Sequence, residues 1–520
     1  MKRKLIKHIV DDRQRLIDLA RLNIGLDKLD FRWADLSGMD LSNANLSGIN
    51  LEHANLLNTN LSNADFSGAN LRGANLKGSK LSGTRFENAN LTDAIVTSSN
   101  LTSCCFTKAV ISRTNFCESK FYNCDFNNAN FVSAIFNNAS LNNCNINKLD
   151  LYDSGLIGVY FEDMDLSQIC FDHSDLTNST FKNVKLNNVN FNEVCLDGSD
   201  LSDNDLTKSI FIYTSINNCK FYLCNLSYCE FVNCRAYNID FSGADLSYAK
   251  FTSTEIHNSQ ISAHLDYESN QEIGYYTPVI LKETYFKECS LENTNLNETH
   301  LENVDFTSSK LDGIDFSMSN LENVNFSNAK LNRCIFKGIE IKDGNFSKAT
   351  LFNVDFTYEY YEHQQPSAIS DSCFNDANVA NCNFDGSRLN ECVFEKCNLK
   401  NSTFNKVLLD RIDFTNCNLA GTSFVESTIQ KSKFDRTEIL NPSIEHISGL
   451  TVFISANFTK SIISNTTFHD SSLKRSDFSD STLTHVEFCG AILDGSDFTD
   501  VQLQDVNFDR ASYSFTNLKT

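Results

Sequence analysis

Between Leu61 and Gly78 the chain reads LSNADFSGANLRGANLKG. Leu61, Phe66, Leu71 and Leu76 are five apart, and Ala64, Ala69 and Ala74 lie two residues before the last three. The rhythm is general. From Phe31 to Ile261 every fifth residue is Leu, Phe, Ile or Val at 46 of 47 positions, Ala236 being the exception. It resumes from Leu281 to Phe356 at 16 of 16 positions and from Phe374 to Ile439 at 14 of 14. A last run from Phe453 to Leu518 gives 14 of 14 with Tyr513 included. A period of five is neither the 3.6 of a helix nor the 2 of a strand. It requires a turn in every repeat, and pairs such as Ser-Gly and Asn-Asn after the apolar centre supply turn chemistry. The slot two before most centres holds Ala, Ser, Cys, Thr or Val, so the inner corner there reads as tight. Self-similarity at a fixed period predicts a solenoid whose coils bury their interior only by stacking.

Tandems such as Ala44-Asn45-Leu46 and Ala64-Asp65-Phe66 make the chain resemble the pentapeptide-repeat family over nearly all of its length. The resemblance implies an all-β fold, a right-handed quadrilateral β-helix with four pentapeptides to a square coil. In such a fold the central Leu or Phe and the small residue two before it point inward. The residue just before the centre and the two after it face solvent. A second period agrees with four sides. In Phe161 to Phe251 and Phe374 to Phe434 phenylalanine favours alternate centres. Phenylalanines ten apart then lie on opposite faces, and those twenty apart stack in one column. Coils stack at about 4.8 Å, so some 23 coils would make a rod on the order of 110 Å long.

The rhythm divides the chain into β-helix over 29–261, 281–356, 374–439 and 453–520, with interruptions at 262–280, 357–373 and 440–452. Pro278, Pro366 and Pro442 fall one in each interruption. Proline removes a ladder donor and is excluded from stacked coils. The first interruption reads either as a degenerate coil or as a bulging loop; the second must project; the third keeps a weak repeat at Ile444. Tyr267, Tyr275 and Tyr276 in the first, and Tyr358, Tyr360, Tyr361 and His363 in the second, are candidate partner-binding residues. Loops on a rigid scaffold carry function, and tyrosine is a common binding anchor. The competing reading is a tolerated insertion whose tyrosines cover the coil edge.

Residues 1–28 carry eight Lys or Arg and four Asp, a charge of +4 against -22 for the whole chain. This segment reads as a short N-terminal helical cap over the first coil. The alternative is a basic arm that contacts membrane or serves as an export signal. The start lacks the apolar core of a secretory signal, and no stretch has the length of a membrane span. Repeats continue almost to Lys519, so the last coil presents open edges and is a candidate homodimer surface.

Thirteen of nineteen cysteines occupy the small inner slot, Cys104, Cys124, Cys144 and Cys219 among them, which reads as use of cysteine as a small buried apolar residue. Free thiols in this number suit a reducing compartment. Of ten histidines, six fall on surface slots. Glu445-His446, and Cys373 near His363, are the least ordinary pairs, and neither has a third group in place. No hydrolase, metalloprotease, Walker or dinucleotide motif occurs. No catalytic residue, no cofactor and no metal is expected.

The expected function is a non-enzymatic protein-interaction scaffold. Asn-rich composition and a solitary β-helix resemble effectors that enteric bacteria inject by type III secretion, which implies a stay in the bacterial cytoplasm, export into a host cell and a role in virulence. The partner is expected to be a protein, with no nucleic acid and with membrane contact only through the basic N-terminus. One alternative is DNA mimicry toward a topoisomerase such as gyrase, which short family members show. DNA carries a charge per about 1.7 Å against one per roughly 4 Å here. The nearest acidic cluster is Asp153, Glu162, Asp163, Asp165 and Asp172. The other alternative is a cytosolic structural solenoid.

Overall fold

The computed structural model describes residues 29–146, 151–167, 169–266, 275–357, 366–440, 451–514 and 516–517, together with Leu16. It comprises two compact units, 1–249 and 250–520. Each is a four-sided β-helix. Residues twenty apart pair in parallel, as in Asp30↔Asn50 and Asn50↔Asn70 of the first unit and Asp305↔Asn325 and Asn325↔Asn345 of the second. One wall of the first unit is a parallel sheet of Asn100–Thr102, Lys120–Tyr122, Ser140–Asn142, Tyr160–Glu162 and Thr180–Lys182. In the second unit Ile280–Lys282, His300–Glu302 and six further strands lead in order to Val452–Ile454 in one nine-stranded sheet.

The pentad explains its own composition. After the centre the chain turns, and the N–H three residues on donates back to the centre's carbonyl, as Ala34 does to Phe31 at 3.1 Å. The second residue after the centre is left-handed in the regular repeats, with φ of 58° at Asn43 and 66° at Gly48. Glycine and asparagine dominate that corner because they accept φ > 0 with least steric cost. Val, Ile and Thr are absent from it among the described residues, as β-branching forbids. The Asn or Asp before the centre is also explained. Its Oδ1 accepts the N–H two residues on, as Asp65 does from Ser67 at 2.9 Å and Asn45 from Ser47 at 3.2 Å.

The interior is built of columns. Phe66, Phe86, Phe106 and Phe126 stack with ring centroids 5.5, 4.9 and 4.8 Å apart. Phenylalanines ten apart meet edge to face across the coil, Phe106 and Phe116 at 6.2 Å. This is the preferred geometry of aromatic pairs, reached twice by one ring.

The small slot does more than fill space. Thr59, Ser79 and Thr84 donate from their hydroxyls to the carbonyls of Leu36, Leu56 and Leu61 in the preceding coil, at 3.0, 2.7 and 2.9 Å. All thirteen slot cysteines are buried, and most do the same: Cys104 Sγ reaches Leu81 O at 2.8 Å and Cys219 Sγ reaches Leu196 O at 2.9 Å. Cysteine here is a donor isosteric with serine as well as an apolar filler. Burial pushes the Cys224, Cys334 and Cys392 thiols up to about 12. Such thiols are inert as nucleophiles. An Ellman titration of the native protein at pH 8 is therefore expected to count at most six thiols, the half-buried Cys105, Cys117, Cys170, Cys195, Cys373 and Cys489. The same titration in urea should count nineteen. Rapid reaction of more than six without urea would contradict the packing.

Register shows what the interruptions are. Ile256 pairs with Leu291, 35 residues on, so the first interruption adds fifteen residues to one ordinary repeat. A degenerate coil would have kept the step at twenty. Part of the addition is an antiparallel hairpin, His264–Asp266 against Tyr275–Thr277. In the second, Ile341 pairs with Ile369 rather than with a residue after 373, and Ser367 and Ile369 are already buried as slot and centre. The coil thus resumes before Phe374. In the third, Ile429 pairs with Phe453, four residues beyond the usual step. Ile444 and, apart from Leu16, residues 1–28 lie outside the described residues; Leu16 is helical and buried.

Candidate interaction surface

The sequence-predicted binding tyrosines mostly fall where no placement is described. Tyr267, Tyr358, Tyr360, Tyr361 and His363 lie outside the described residues, as do Glu445 and His446. Tyr275 and Tyr276 are described as backbone, in the second strand of the hairpin.

What the structure does gather is a group of tyrosines at left-handed corners, Tyr228 and Tyr248 in register and Tyr213 on the next corner. Large apolar side chains occupy the left-handed corner at Trp33, Tyr213, Leu223, Tyr228, Tyr248 and Met318, with φ from 53° to 64°. Four of these six lie between 213 and 248, within two turns of the first unit. Tyr213 and Tyr228 are 64% and 50% exposed, and the rings of Tyr228 and Tyr248 stack at 4.7 Å. The wall beside them carries Ile210, Ile212 and Val232 outward. A bulky residue at φ > 0 costs about 1 kcal/mol or more. Lys, Arg, Glu and Ser take the same left-handed corner in both units, so what sets this stretch apart is that its corners carry large apolar and aromatic side chains. The signal was present in the sequence as tyrosine in a slot of Gly, Asn and Asp, but it lies inside the regular repeats and not at their interruptions.

The acidic residues are arranged differently from the sequence expectation. Asp153 and Asp172 sit on the wall centred on Leu151 and Phe171, Glu162 belongs to the strand Tyr160–Glu162 two walls on, and Asp165 to the wall after that. The five do not form one face. Instead Asp163, Asp165, Asp203 and Asp205 line a groove of about 480 Å³ with Asn183 and Lys185 between them. Its charge is partly offset. Asn183 donates to Asp163 at 2.7 Å. Ser167, aided by Lys185 at 3.7 Å, holds the Asp165 carboxyl below the usual carboxylate range, and Lys182 at 2.8 Å does so for Glu162.

Histidines pair with single carboxylates, His173 with Glu193 and His485 with Asp505, each at 3.2 Å. No third group completes either pair among the described residues. Cys373 Sγ lies 3.2 Å from Ser347 Oγ, with no histidine beside it among the described residues. Among the described residues no group of three or more His, Cys, Asp or Glu is placed to hold a metal, and no helix is long and apolar enough to cross a membrane.

The repeat pattern matches the family described as pentapeptide repeat region at residues 114–191, 184–261, 279–356 and 363–434, more than half of the chain. It matches pentapeptide repeats (8 copies) at 30–68, 69–107, 451–488 and 471–510. No curated protein matches the sequence. Among solved structures, HetL, a pentapeptide repeat protein involved in heterocyst differentiation regulation from Nostoc sp. strain PCC 7120, is 21% identical with a TM-score of 0.18, over 42% of this chain and 94% of that one. QnrB1, a plasmid-mediated fluoroquinolone resistance protein, is 17% identical with a TM-score of 0.23, over 43% and 88%. A pentapeptide repeat protein of the Arabidopsis thaliana thylakoid lumen is 27% identical with a TM-score of 0.15, over 23% and 70%.

Proposed function

The chain belongs to the pentapeptide-repeat family, and on that premise we propose that it is a non-enzymatic scaffold that binds a protein partner. The observation that carries this reading is the set of left-handed corners that carry Tyr213, Leu223, Tyr228 and Tyr248, of which Tyr213 and Tyr228 are exposed. Tyrosine is an interface anchor because it offers large rigid area with a polar tip. Its position here separates function from stability. Tyr213→Asn is expected to raise stability by about 0.5–1 kcal/mol in urea denaturation, since Asn tolerates the corner that Tyr strains. The same change combined with Tyr228→Asn should weaken binding to the chain's partner at least tenfold. If Tyr213→Asn destabilises the fold, or the pair leaves every interaction intact, this group of tyrosines is structural and the solenoid itself is the function.

Export to a host cell as an effector is part of this proposal and is supported by the +4 charge of residues 1–28. Fusion of the first fifty residues to a reporter tests it, and retention of that reporter by a secretion-competent bacterium would refute it. Self-association is supported by the coil of Leu503, Phe508 and Tyr513, whose centres are not buried as others are, Leu503 being 40% and Tyr513 54% exposed. A strict monomer by light scattering at high concentration would remove that element. DNA mimicry draws less support, since the acids are divided among walls and several are paired with lysine.

A further inference from the structure

We propose that the wall of the first unit centred on Phe211 and Phe231 docks a proline-rich segment of a partner protein, laid in the polyproline II conformation between Tyr213 and Tyr228. The proposal rests on the scaffold reading and names the class of partner.

Three observations select this occupant. The first is chemical. Ile210, Ile212 and Val232 form an outward aliphatic floor in paired strands, with Ile212 directly beside Val232. Tyr213 stands at the corner on one side of this floor, and Tyr228, backed by Tyr248, stands at the other. Aromatic rims around a shallow apolar floor are the surface on which polyproline II segments are recognised.

The second is the state of the sheet. Ile210–Ile212 is paired on one edge with Glu230–Val232 and bridged on the other, Asn190 to Ile210. With both edges occupied, no strand can be added there by backbone pairing. A guest β-strand lying flat on the wall would bury N–H and C=O groups against side chains that cannot satisfy them. A polyproline II segment has no internal hydrogen bonds to lose, keeps its backbone solvated, and at each proline has no N–H to strand.

The third is size. An aromatic side chain offers roughly 150–250 Å², so two half-exposed tyrosines with three half-buried aliphatic residues amount to about 300–400 Å². A stable interface between two folded proteins takes about 800 Å² from each side. The patch is too small for a second copy of the chain and suits a peptide of a few residues.

The test uses the full-length chain and an array of decapeptides. One set repeats Pro-Pro-Leu; the other carries the same leucines on a Gly-Ser backbone. The expected result is retention of the proline set at least tenfold more tightly than the Gly-Ser set. The variant Tyr213→Ser with Tyr228→Asn should lose that preference while keeping the β circular dichroism of the parent. Equal retention of both sets would overturn the proline-rich occupant, and so would a preference the double variant keeps. A dimer that the double variant abolishes would assign the wall to a second copy instead. The scaffold reading fails separately, if the double variant keeps the partner interaction itself.

Discussion

Phe326→Ala is expected to lower the stability of the second unit by about 3–5 kcal/mol, the range for emptying a buried phenylalanine site. The ring is fully buried and has four aromatic neighbours. It stacks on Phe306 and Phe346 at 5.1 and 4.8 Å, and meets Phe316 and Phe336 edge on at 6.0 and 6.2 Å. The cavity cannot close easily, because each coil's backbone is held to its neighbours by a ladder with fixed register. Asn325 N–H donates to Val304 O, and Phe326 N–H to Asn345 O, at 2.9 and 2.7 Å. In a solenoid the loss spreads to both neighbouring coils, since a coil is stable only through its interfaces. Phe326→Leu should cost much less, on the order of 1 kcal/mol, because leucine occupies equivalent centres on the adjacent walls. Phe508→Ala, in a coil whose centres are half-exposed, should also cost less. Urea denaturation followed by circular dichroism compares the three. Equal losses at 326 and 508 would mean that stacking, and not burial, sets the energy.

The architecture was legible because the constraint repeats. A centre every fifth residue, a small slot two before it and Phe in columns of twenty are each stated dozens of times in the chain, so single departures such as Ala236 do not blur them. Three things were less legible. The donor role of the slot was hidden because Ala and Val, which cannot donate, share it with Ser, Thr and Cys, so composition shows only size. The lengths of the interruptions were misread where the chain re-enters the coil quietly. Ile369 stands five before Phe374 with Ser367 two before it, but one isolated repeat beside a Tyr- and Glu-rich stretch looks like loop. Twenty residues between Ile261 and Leu281 equal one coil in number, and only the pairing of Ile256 with Leu291 shows that they replace a single repeat. The proposed surface of Tyr213, Tyr228 and Tyr248 stood out less for a different reason. Attention to interruptions assumes that function departs from the repeat, whereas Tyr213, Tyr228 and Tyr248 keep the repeat and change only what its corner displays.

The slot also contains its own exception, and this yields the second large effect. Asn204 occupies a position that elsewhere holds small or apolar residues, and it is 3% exposed. Its Nδ2 lies 2.8, 2.8 and 2.9 Å from the carbonyls of Phe181, Leu201 and Ser202, and its Oδ1 accepts the N–H of Val184 at 2.8 Å. Asn204→Leu would leave the Val184 donor and the Phe181 acceptor buried without partners. Each such group costs about 1–3 kcal/mol, so a total of about 3–5 kcal/mol is expected. Asn204→Ser should cost about 1 kcal/mol or less, because serine in this slot can serve both groups. Ser209 donates to Leu186 O at 2.6 Å while accepting the Val189 N–H at 3.0 Å. Hydrogen exchange of the segment around Val184 reports the local term and urea denaturation the global one. Faster exchange in the leucine variant, with near-parental exchange in the serine variant, is the expected pattern. Loss of similar size in both would mean that the slot selects on shape alone, and the hydroxyl and thiol donors that line the coils would then be incidental to their stability.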